Sequence, residues 1–321
     1  MSVKLDWKNP NTAISKGVRI YRSLALITEL NVGDLLATLP GDALTYTDVT
    51  APMNTVIYYQ LVFVGLDDQL VPCGSQPYGH FPGGTGPGQQ SLLRGSWGCG
   101  YFGTVPVADI YTPDELRTVL GTATIAGAVA AITNAKMTLW HKFVFEGKIL
   151  FYPQGALISG INWAAIYNKG WIYGIDSNGP GLVTLNVPTP VNQKVLITKG
   201  AFTYRVRTPK GLNKPVDKLY PTANVLADLI GSEWDSLVSG LYSSGHILAF
   251  NIAGVGRLES LVGVTATVEF NNLFSLTQHV VAANGTPHSR GYTNIPDQDS
   301  ISGGGSGSNT YWAPVLQLEY V

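Results

Sequence analysis

Charged residues are scarce in this chain of 321 residues: they make up 13% of it, and its 20 basic side chains are offset by 21 acidic ones. Because such a balance creates no global field, neither nucleic acid nor anionic lipid is expected as a partner. No uncharged apolar run approaches the length of about twenty residues that a membrane span needs, and the N-terminal residues lack the basic and apolar regions of a signal peptide. Low charge also leaves little repulsion between copies, which favours self-association.

Cysteine is nearly absent as well, since Cys73 and Cys99 are the only two. Two cysteines are too few for a disulfide framework, and their spacing does not fit a four-ligand zinc site. We therefore expect two buried thiols and no structural metal.

Turn-forming residues and tyrosines are abundant, with 37 Gly and 16 Tyr, a composition that favours short strands and many turns. The sequence thus predicts a mostly β protein with minor α content. In the N-terminal part, clusters of Pro, Gly, Asn and Asp separate apolar runs in the rhythm of a β-sandwich. The strands predicted there are Val3 to Trp7, Gly17 to Arg22, Leu35 to Leu39, Leu44 to Thr47 and Thr55 to Val64.

This N-terminal part resembles fibronectin type III domains. Leu5-Asp6-Trp7 resembles the early strand of that family that carries a Trp, and residues 17–22 look like the strand after it. The run from Thr55 to Val64 is similar to the penultimate strand, in which a corner Tyr ties back to the backbone, and Tyr58 is our candidate for that role. The resemblance implies a fibronectin type III-like sandwich over residues 1–82, and it implies a fold rather than a chemistry.

A stretch rich in Gly and Pro follows the sandwich, and its composition suits neither a strand nor a helix. We predict a linker over residues 83–90 and a larger second domain over residues 91–321. A phosphate-binding glycine loop is disfavoured, because no Lys followed by Ser or Thr comes after these glycines.

The second domain is predicted to mix strands with a few short helices. Thr112-Pro113-Asp114-Glu115 gives the cap, proline and acidic residues of a helix start at Pro113. Further helices are expected over Thr122 to Lys136, Trp163 to Tyr167 and Ser232 to Leu241. The predicted strands are Leu139 to Phe145, Ile149 to Tyr152, Val191 to Thr198, Phe202 to Thr208, Val262 to Phe270 and a closing strand, Tyr311 to Leu318. The tryptophans of this domain are expected to pack in its core.

Several segments of this domain resemble virion structural proteins of tailed bacteriophages. They are Leu139 to Phe143, Gly147 to Pro153, Ser232 to Asp235 and Trp312 to Leu318. The resemblance implies an irregular α+β domain, lectin-like in some members, joined to immunoglobulin-like or fibronectin-like modules on capsids, collars or tail appendages. It implies a non-enzymatic structural protein located in the virion, with other virion proteins and further copies of itself as partners.

The candidates for catalytic or metal-binding residues are the five His and the acidic side chains. None of the His has the spacing of a metal site, and His141 lies in an apolar strand, where a packed side chain is the commoner case. Asp297 and Asp299 offer oxygen ligands for calcium, but without the spacing of a calcium loop, so solvated turn residues are favoured. The sequence predicts no catalytic residue, no cofactor and no metal.

Recognition of a glycan or receptor is the alternative function. Arg205 and Arg207 share one face of a predicted strand and would form a small basic patch, with Lys210 and Lys214 beyond it. A polar stretch from Asn284 to Asn309, predicted to be a long surface loop, would bind a host surface glycan. The candidate aromatic contacts are Tyr292, within this stretch, and Tyr311, two residues after its end. A secreted carbohydrate-active enzyme is disfavoured by the missing signal peptide.

Overall fold

The structure is a computed structural model, and the chain is mostly β, as the composition predicts. It divides into two compact units, a first unit comprising residues 1–85, 92–100 and 144–148 and a second unit comprising residues 86–91, 101–143 and 149–321. The described residues are 2–29, 31–125, 128–130, 138–153, 156–179, 190–213, 219–220, 231–239, 274–281, 286–290, 298–300 and 310–320.

The first unit contains short antiparallel strands, the first five of them at the places where the turn residues predict strands and three more that were not predicted. These strands are β1 (Val3–Asp6), β2 (Ser15–Ser23), β3 (Asp34–Pro40), β4 (Thr45–Asp48), β5 (Thr55–Gly65), β6 (Leu70–Pro72), β7 (Gln76–His80) and β8 (Arg94–Gly95). A 3-10 turn, Thr12–Ile14, precedes β2.

Two sheets of the first unit enclose one core. Strands β1 and β4 form a two-stranded sheet, and the other sheet has the order β3-β2-β5-β6, with β7 also paired to β5. Val3 from the first sheet and Ile20, Ile57 and Tyr59 from the second are buried together, and Trp7 packs against them. Burial of apolar side chains from both sheets is the main stabilising contribution to this unit.

A buried carboxylate, Asp48, ties the two sheets together. It accepts hydrogen bonds from the Tyr59 hydroxyl at 2.8 Å, from the Arg22 guanidinium at 2.9 Å and from the backbone N–H of Thr50 at 2.9 Å. Burial opposes ionisation, but these donors outweigh it and hold the pKa of Asp48 below its usual value. Tyr59, and not Tyr58, makes this contact with Asp48, because alternate residues of a strand face opposite sides of the sheet. The acceptor is a side chain and not the backbone, so the corner role expected of Tyr58 stays a prediction.

We expect Tyr59→Phe to destabilise the first unit by about 1–2 kcal/mol, because Asp48 then loses one of its donors inside the core. Tyr58→Phe is the matched control, with an expected change within about 0.5 kcal/mol. Differential scanning calorimetry of both variants checks this. A larger effect at Tyr58 than at Tyr59 would contradict the stabilising role of the Tyr59–Asp48 hydrogen bond.

The second unit begins its ordered elements with β9 (Cys99–Pro106), whose first residues belong to the first unit. Its helical elements are α1 (Pro113–Leu120), α2 (Trp163–Asn168), 3-10 turns at Val107–Asp109 and Thr122–Thr124, and a π-helical turn at Trp234–Ser239. The remaining strands are β10 (Val129–Ala130), β11 (Leu139–Phe145), β12 (Lys148–Pro153), β13 (Ile158–Ser159), β14 (Val195–Lys199), β15 (Phe202–Arg207), β16 (Leu219–Tyr220), β17 (Phe274–Val281), β18 (Thr286–Arg290), β19 (Gln298–Ser300), β20 (Thr310–Trp312) and β21 (Val315–Glu319).

The closing segment of the chain occupies interior positions in two sheets. In one sheet β21 lies between β15 and β12, within the order β14-β15-β21-β12-β11-β9. In the other, β20 lies between β13 and β17, within the order β10-β13-β20-β17-β18-β19. The expectation that the closing strand is built into the second domain is confirmed, although Ala313 and Pro314 divide it into two strands.

Helix α1 forms where its cap predicts it. The Thr112 hydroxyl accepts from the Glu115 N–H, while the Glu115 carboxylate accepts from the Thr112 N–H at 2.8 Å, and Gly121 ends the helix with φ +65°. The helix predicted over Thr122 to Lys136 is wrong in its described residues. They form a 3-10 turn and then strand β10, consistent with their β-branched content.

The Gly/Pro segment predicted as a linker contributes to the second unit from Gly86 onward. The carbonyl oxygens of Gly86, Pro87 and Gln89 accept from the Lys142 ammonium at 3.4, 2.9 and 2.8 Å. Gly88 has φ +78°, and a Cβ there would lie 2.5 Å from Val105. These contacts hold residues 86–89 in a fixed conformation, which differs from the flexible linker that their composition predicts.

The tryptophans of the second unit lie in its core, as predicted. Trp171 and Trp312 stack at 5.0 Å between ring centroids, and Trp163 stacks on Tyr167 at 5.3 Å. Trp140 is fully buried and donates its indole N–H to the Tyr111 carbonyl at 2.9 Å. Burial of such large rings stabilises this unit strongly.

The two cysteines and the polar stretch near the C-terminus differ from what the sequence predicts. Both cysteines are exposed rather than buried, because Cys73 follows the edge strand β6 and Cys99 opens β9. The stretch from Asn284 to Asn309, predicted as a loop, contains strands β18 and β19 among its described residues. The strand predicted over Val262 to Phe270 lies outside the described residues.

Candidate interaction surface

Polar side chains of the second unit were the first candidates for a binding site, and the most prominent of them are buried. Arg207 is 4% exposed and forms a bidentate ion pair with Glu233, at 2.9 and 2.7 Å, while the Tyr152 hydroxyl donates to the same carboxylate. Burial alone would raise the pKa of Glu233, but the Arg207 charge and the hydrogen bonds from Arg207 and Tyr152 together outweigh it, and the pKa is lowered. Arg207 therefore holds the core together and is not a surface contact, which corrects its place in the predicted basic patch.

Arg205 lies on the same face of β15, as its spacing from Arg207 predicts, but its charge is also compensated. Its guanidinium donates to the Gly174 carbonyl at 2.8 Å and to the Glu319 carboxylate at 2.7 Å. Both side chains of this ion pair are largely buried. The two arginines consequently do not form an open basic patch for an acidic ligand.

The predicted aromatic contacts lie where side chains are not described. Tyr311 is part of β20, opposite Ser159 of β13 and Ser275 of β17, and Tyr292 lies outside the described residues. Asp297 lies outside them too, whereas Asp299 belongs to β19, opposite Ser289. In the described part of the chain, no group of His, Cys, Asp and Glu is arranged to hold a metal ion.

His141 and Tyr101 form a buried pair in the second unit, with the Tyr101 hydroxyl 3.1 Å from Nδ1 of His141. His141 is 1% exposed and packs beside Phe143, and burial lowers its pKa to about 4. A neutral imidazole enclosed by aromatic rings packs as a core residue, as its place in an apolar strand predicts.

In the part of the chain that the structure describes, large apolar side chains are exposed mainly on the first unit. Among the described residues, the exposed large hydrophobic side chains of the second unit are Val119, Ile175 and Leu196. All the others belong to the first unit: Ile14, Leu24, Leu26, Val32, Leu35, Leu44, Val49, Met53, Leu66, Leu70, Val71, Tyr78 and Leu93. Clusters of exposed apolar residues mark interaction surfaces more often than single ones do.

The connection between β2 and β3 presents one such cluster, Leu24, Leu26 and Val32, which we call the apolar loop. Their exposures are 65%, 55% and 61%. Ile27, between them in sequence, is 5% exposed and anchors the loop, and its N–H donates to the Ser75 hydroxyl at 3.3 Å.

Hydrogen bonds fix the shape of the apolar loop. The Asn31 side chain donates to the Leu26 carbonyl at 3.0 Å and to the Ser23 hydroxyl at 3.3 Å, and Thr28 and Asn31 exchange backbone hydrogen bonds. Gly33, with φ +69°, closes the loop where a Cβ would meet the Arg22 carbonyl at 2.8 Å. The loop therefore holds apolar side chains toward solvent in an ordered conformation, which lowers the entropy cost of binding.

A second cluster lies at the other end of the same sheet and consists of Ile14, Leu66 and Leu70, here called the turn patch. The Leu66 N–H donates to the Ile14 carbonyl at 3.1 Å, and Leu70 pairs with Val64 across the turn between β5 and β6. Their exposures are 61%, 65% and 51%. Covering such a side chain is worth roughly 1–2 kcal/mol, so each cluster can contribute substantially to a contact.

The sequence contains a signal for the apolar loop. Residues 24–32 lie between two strands, where polar turn residues are expected, yet this connection carries Leu24, Leu26, Ile27 and Val32. Apolar residues in a connection between strands indicate either a buried anchor or a contact surface. Only the structure separates the anchor, Ile27, from the exposed residues.

Comparisons with known proteins leave the family open. A partial structural match is the crystal structure of pectate lyase PelI from Erwinia chrysanthemi in complex with tetragalacturonic acid. It has 16% sequence identity and a TM-score of 0.22, and it covers 24% of this chain and 24% of that chain, so it supports no conclusion about fold or function. No protein-family model and no curated protein matches the chain. Within its described part, the chain has no helix long and apolar enough to cross a membrane.

Proposed function

We propose that this chain is a non-enzymatic structural component of a tailed-bacteriophage virion that acts through contacts with copies of itself and with other virion proteins. The exposed apolar residues of the first unit, above all the ordered apolar loop, carry this proposal. An ordered apolar surface is costly in water unless a partner covers it. The low charge of the chain supports the same conclusion, since it permits close approach of copies.

The first unit is proposed to be fibronectin type III-like. Support comes from its two antiparallel sheets, in which β1 pairs with β4 while β3, β2 and β5 are neighbours, around a shared core that includes Trp7. In the virion proteins that segments of the second domain resemble, such modules are attached to a larger domain of this kind. The second unit, with its paired buried charges and stacked aromatic rings, would act as a rigid body in an assembly.

The described polar groups support assembly over catalysis. Glu233, Arg207 and His141 are buried, and the first two are paired with each other. A substrate reaches such groups only if the core opens, whereas general acid–base catalysis needs them within hydrogen-bond reach of the substrate. No specific observation favours the glycan-binding alternative, because Arg207 is buried and Arg205 is engaged with Glu319.

Polar substitutions in the apolar loop are expected to weaken self-association. In the triple variant Leu24→Asn, Leu26→Asn, Val32→Thr, the apparent dissociation constant should rise at least tenfold, because the side chains that a neighbouring copy would cover become polar. Sedimentation velocity over a range of concentrations measures this. Since these side chains make few core contacts, the midpoint of thermal unfolding should change little.

Leu196→Asn in the second unit is the matched control, because it makes the same chemical change at an exposed Leu on another unit. We expect it to leave self-association unchanged. Equal association of the wild-type chain and the triple variant would contradict the role of the apolar loop.

A further inference from the structure

Strand β1 has an open edge. On one side it pairs with β4, with Val3 opposite Asp48 and Leu5 opposite Tyr46. In the part of the chain that the structure describes, no other strand pairs with β1. The N–H and C=O groups along such an edge form a template for an additional strand.

The ladder with β4 determines which backbone groups face this edge. The Trp7 N–H donates to the Leu44 carbonyl at 3.0 Å, so Leu5, two residues earlier, also bonds to β4. In an antiparallel ladder the residues between such pairs turn their backbone groups the other way. The N–H and C=O groups of Lys4 and Asp6 therefore point toward the open edge.

The side chains of Lys4 and Asp6 stand on the outer face of β1. Their charged atoms are 2.9 Å apart, and the side chains are 63% and 61% exposed. Val3 is buried on the opposite face, and Leu5 packs against the same core. The outer face of the strand thus carries one cation and one anion, placed symmetrically about Leu5.

This arrangement is complementary to itself. When two β1 strands run antiparallel about a twofold axis at Leu5, Lys4 of each copy lies opposite Asp6 of the other. These are the residues whose backbone groups face the edge, so each pair exchanges both N–H···O bonds and sets opposite charges side by side. A parallel, in-register pairing would place like charges opposite each other, which is destabilising.

We propose that β1 is a homotypic contact site, at which a second copy of this chain adds its own β1 in antiparallel orientation. Two first units then share one continuous sheet with the strand order β4-β1-β1-β4. A twofold contact of this kind closes in a pair. The inference rests on the proposed function, since it names one surface through which copies associate, and it leaves the apolar loop free for further contacts.

Charge variants of the full chain test this contact by sedimentation velocity over a concentration series. Lys4→Glu puts two carboxylates opposite each other in both cross-strand pairs, and we expect the dissociation constant to rise about tenfold. The double variant Lys4→Glu, Asp6→Lys exchanges the two charges, so complementarity returns and the constant should lie within about threefold of wild type.

Lys16→Glu is the matched control, because it breaks another exposed ion pair of the first unit, with Asp68, and changes the net charge equally. It should leave the dissociation constant unchanged. Unaltered association of Lys4→Glu would overturn the proposal, as would a double variant that associates no better than Lys4→Glu.

The outcomes also separate this inference from the proposed function. If association survives Lys4→Glu but is lost in the triple variant of the apolar loop, the β1 contact is refuted while the assembly role stands. A wild-type chain that stays monomeric at every concentration overturns both. Loss in Lys4→Glu with recovery in the double variant supports both.

Discussion

Glu233→Ala is expected to destabilise the second unit by about 3–5 kcal/mol, because it leaves the Arg207 guanidinium buried without its carboxylate. Both side chains of this pair are nearly inaccessible to solvent, so water cannot replace the missing partner. The Tyr152 hydroxyl loses its acceptor in the same variant. Urea denaturation followed by tryptophan fluorescence measures the change, since Trp171, Trp234 and other tryptophans lie in this unit.

The double variant Glu233→Leu, Arg207→Met should be less destabilised than Glu233→Ala, because an apolar pair leaves no uncompensated charge in the core. The matched control is Arg205→Met, which breaks the more accessible ion pair with Glu319 and should cost about 1 kcal/mol. If Glu233→Ala lowered the free energy of unfolding no more than Arg205→Met does, the buried Arg207–Glu233 pair would not have the stabilising role that we assign to it.

Lys142 should make the stability of the second unit depend on pH. Its side chain is buried against the rings of Phe102 and Phe151, and burial lowers its pKa to about 7. In the unfolded chain the pKa of a Lys is about 10.4. Between pH 7 and pH 9 the unfolded chain therefore binds a proton that the folded chain has released, so stability rises with pH by up to about 1.4 kcal/mol per pH unit.

Lys142→Met should abolish this pH dependence, because the replacement fills similar space without a titrating group. Free energies of unfolding at pH 7, 8 and 9 measure the slope, and Lys169→Met, at an exposed lysine of the same unit, should keep the wild-type slope. Identical slopes in the wild type and Lys142→Met would show that the Lys142 ammonium stays charged in the core. The three carbonyl groups of residues 86–89 would then be sufficient to hold the charge.

Strands β1 to β5 of the first unit could be predicted because turn residues bracket each apolar run. Within the longest run, β5, the sequence did not show which tyrosine contacts the core carboxylate. Tyr58 and Tyr59 are adjacent and chemically identical, so composition does not determine which of them faces the core. The deciding partner, Asp48, lies on another strand and is identified only by the fold.

Helices followed their caps more closely than their composition. Thr112 and Glu115 form the reciprocal cap that the sequence predicts, and α1 begins at Pro113. The segment from Thr122 has no comparable cap for a long helix, and its alanines led to the wrong prediction. The short strand Val129–Ala130 pairs with a distant strand, Ile158–Ser159, and local propensity does not reveal such a pairing.

The candidate site was harder to predict than the fold. Arg207 and Glu233 are 26 residues apart in sequence, and nothing local indicates that they meet. The exposure of the apolar loop depends on Ile27 being the buried anchor of this connection. The folded first unit determines which residue is the anchor. Lys142, by contrast, lies beside His141 in a strand whose other residues are apolar, and a cation in such a run indicates a buried polar contact.

The central claim, that the chain is an assembly subunit, is tested most directly by the mass of the purified full-length chain over a wide range of concentrations. Multi-angle light scattering is expected to show a defined oligomer whose population grows with concentration. The apolar-loop variant should shift this population toward species of lower mass at the same concentrations. A wild-type chain that remains monomeric throughout, with a mass equal to that of the variant, would contradict the account.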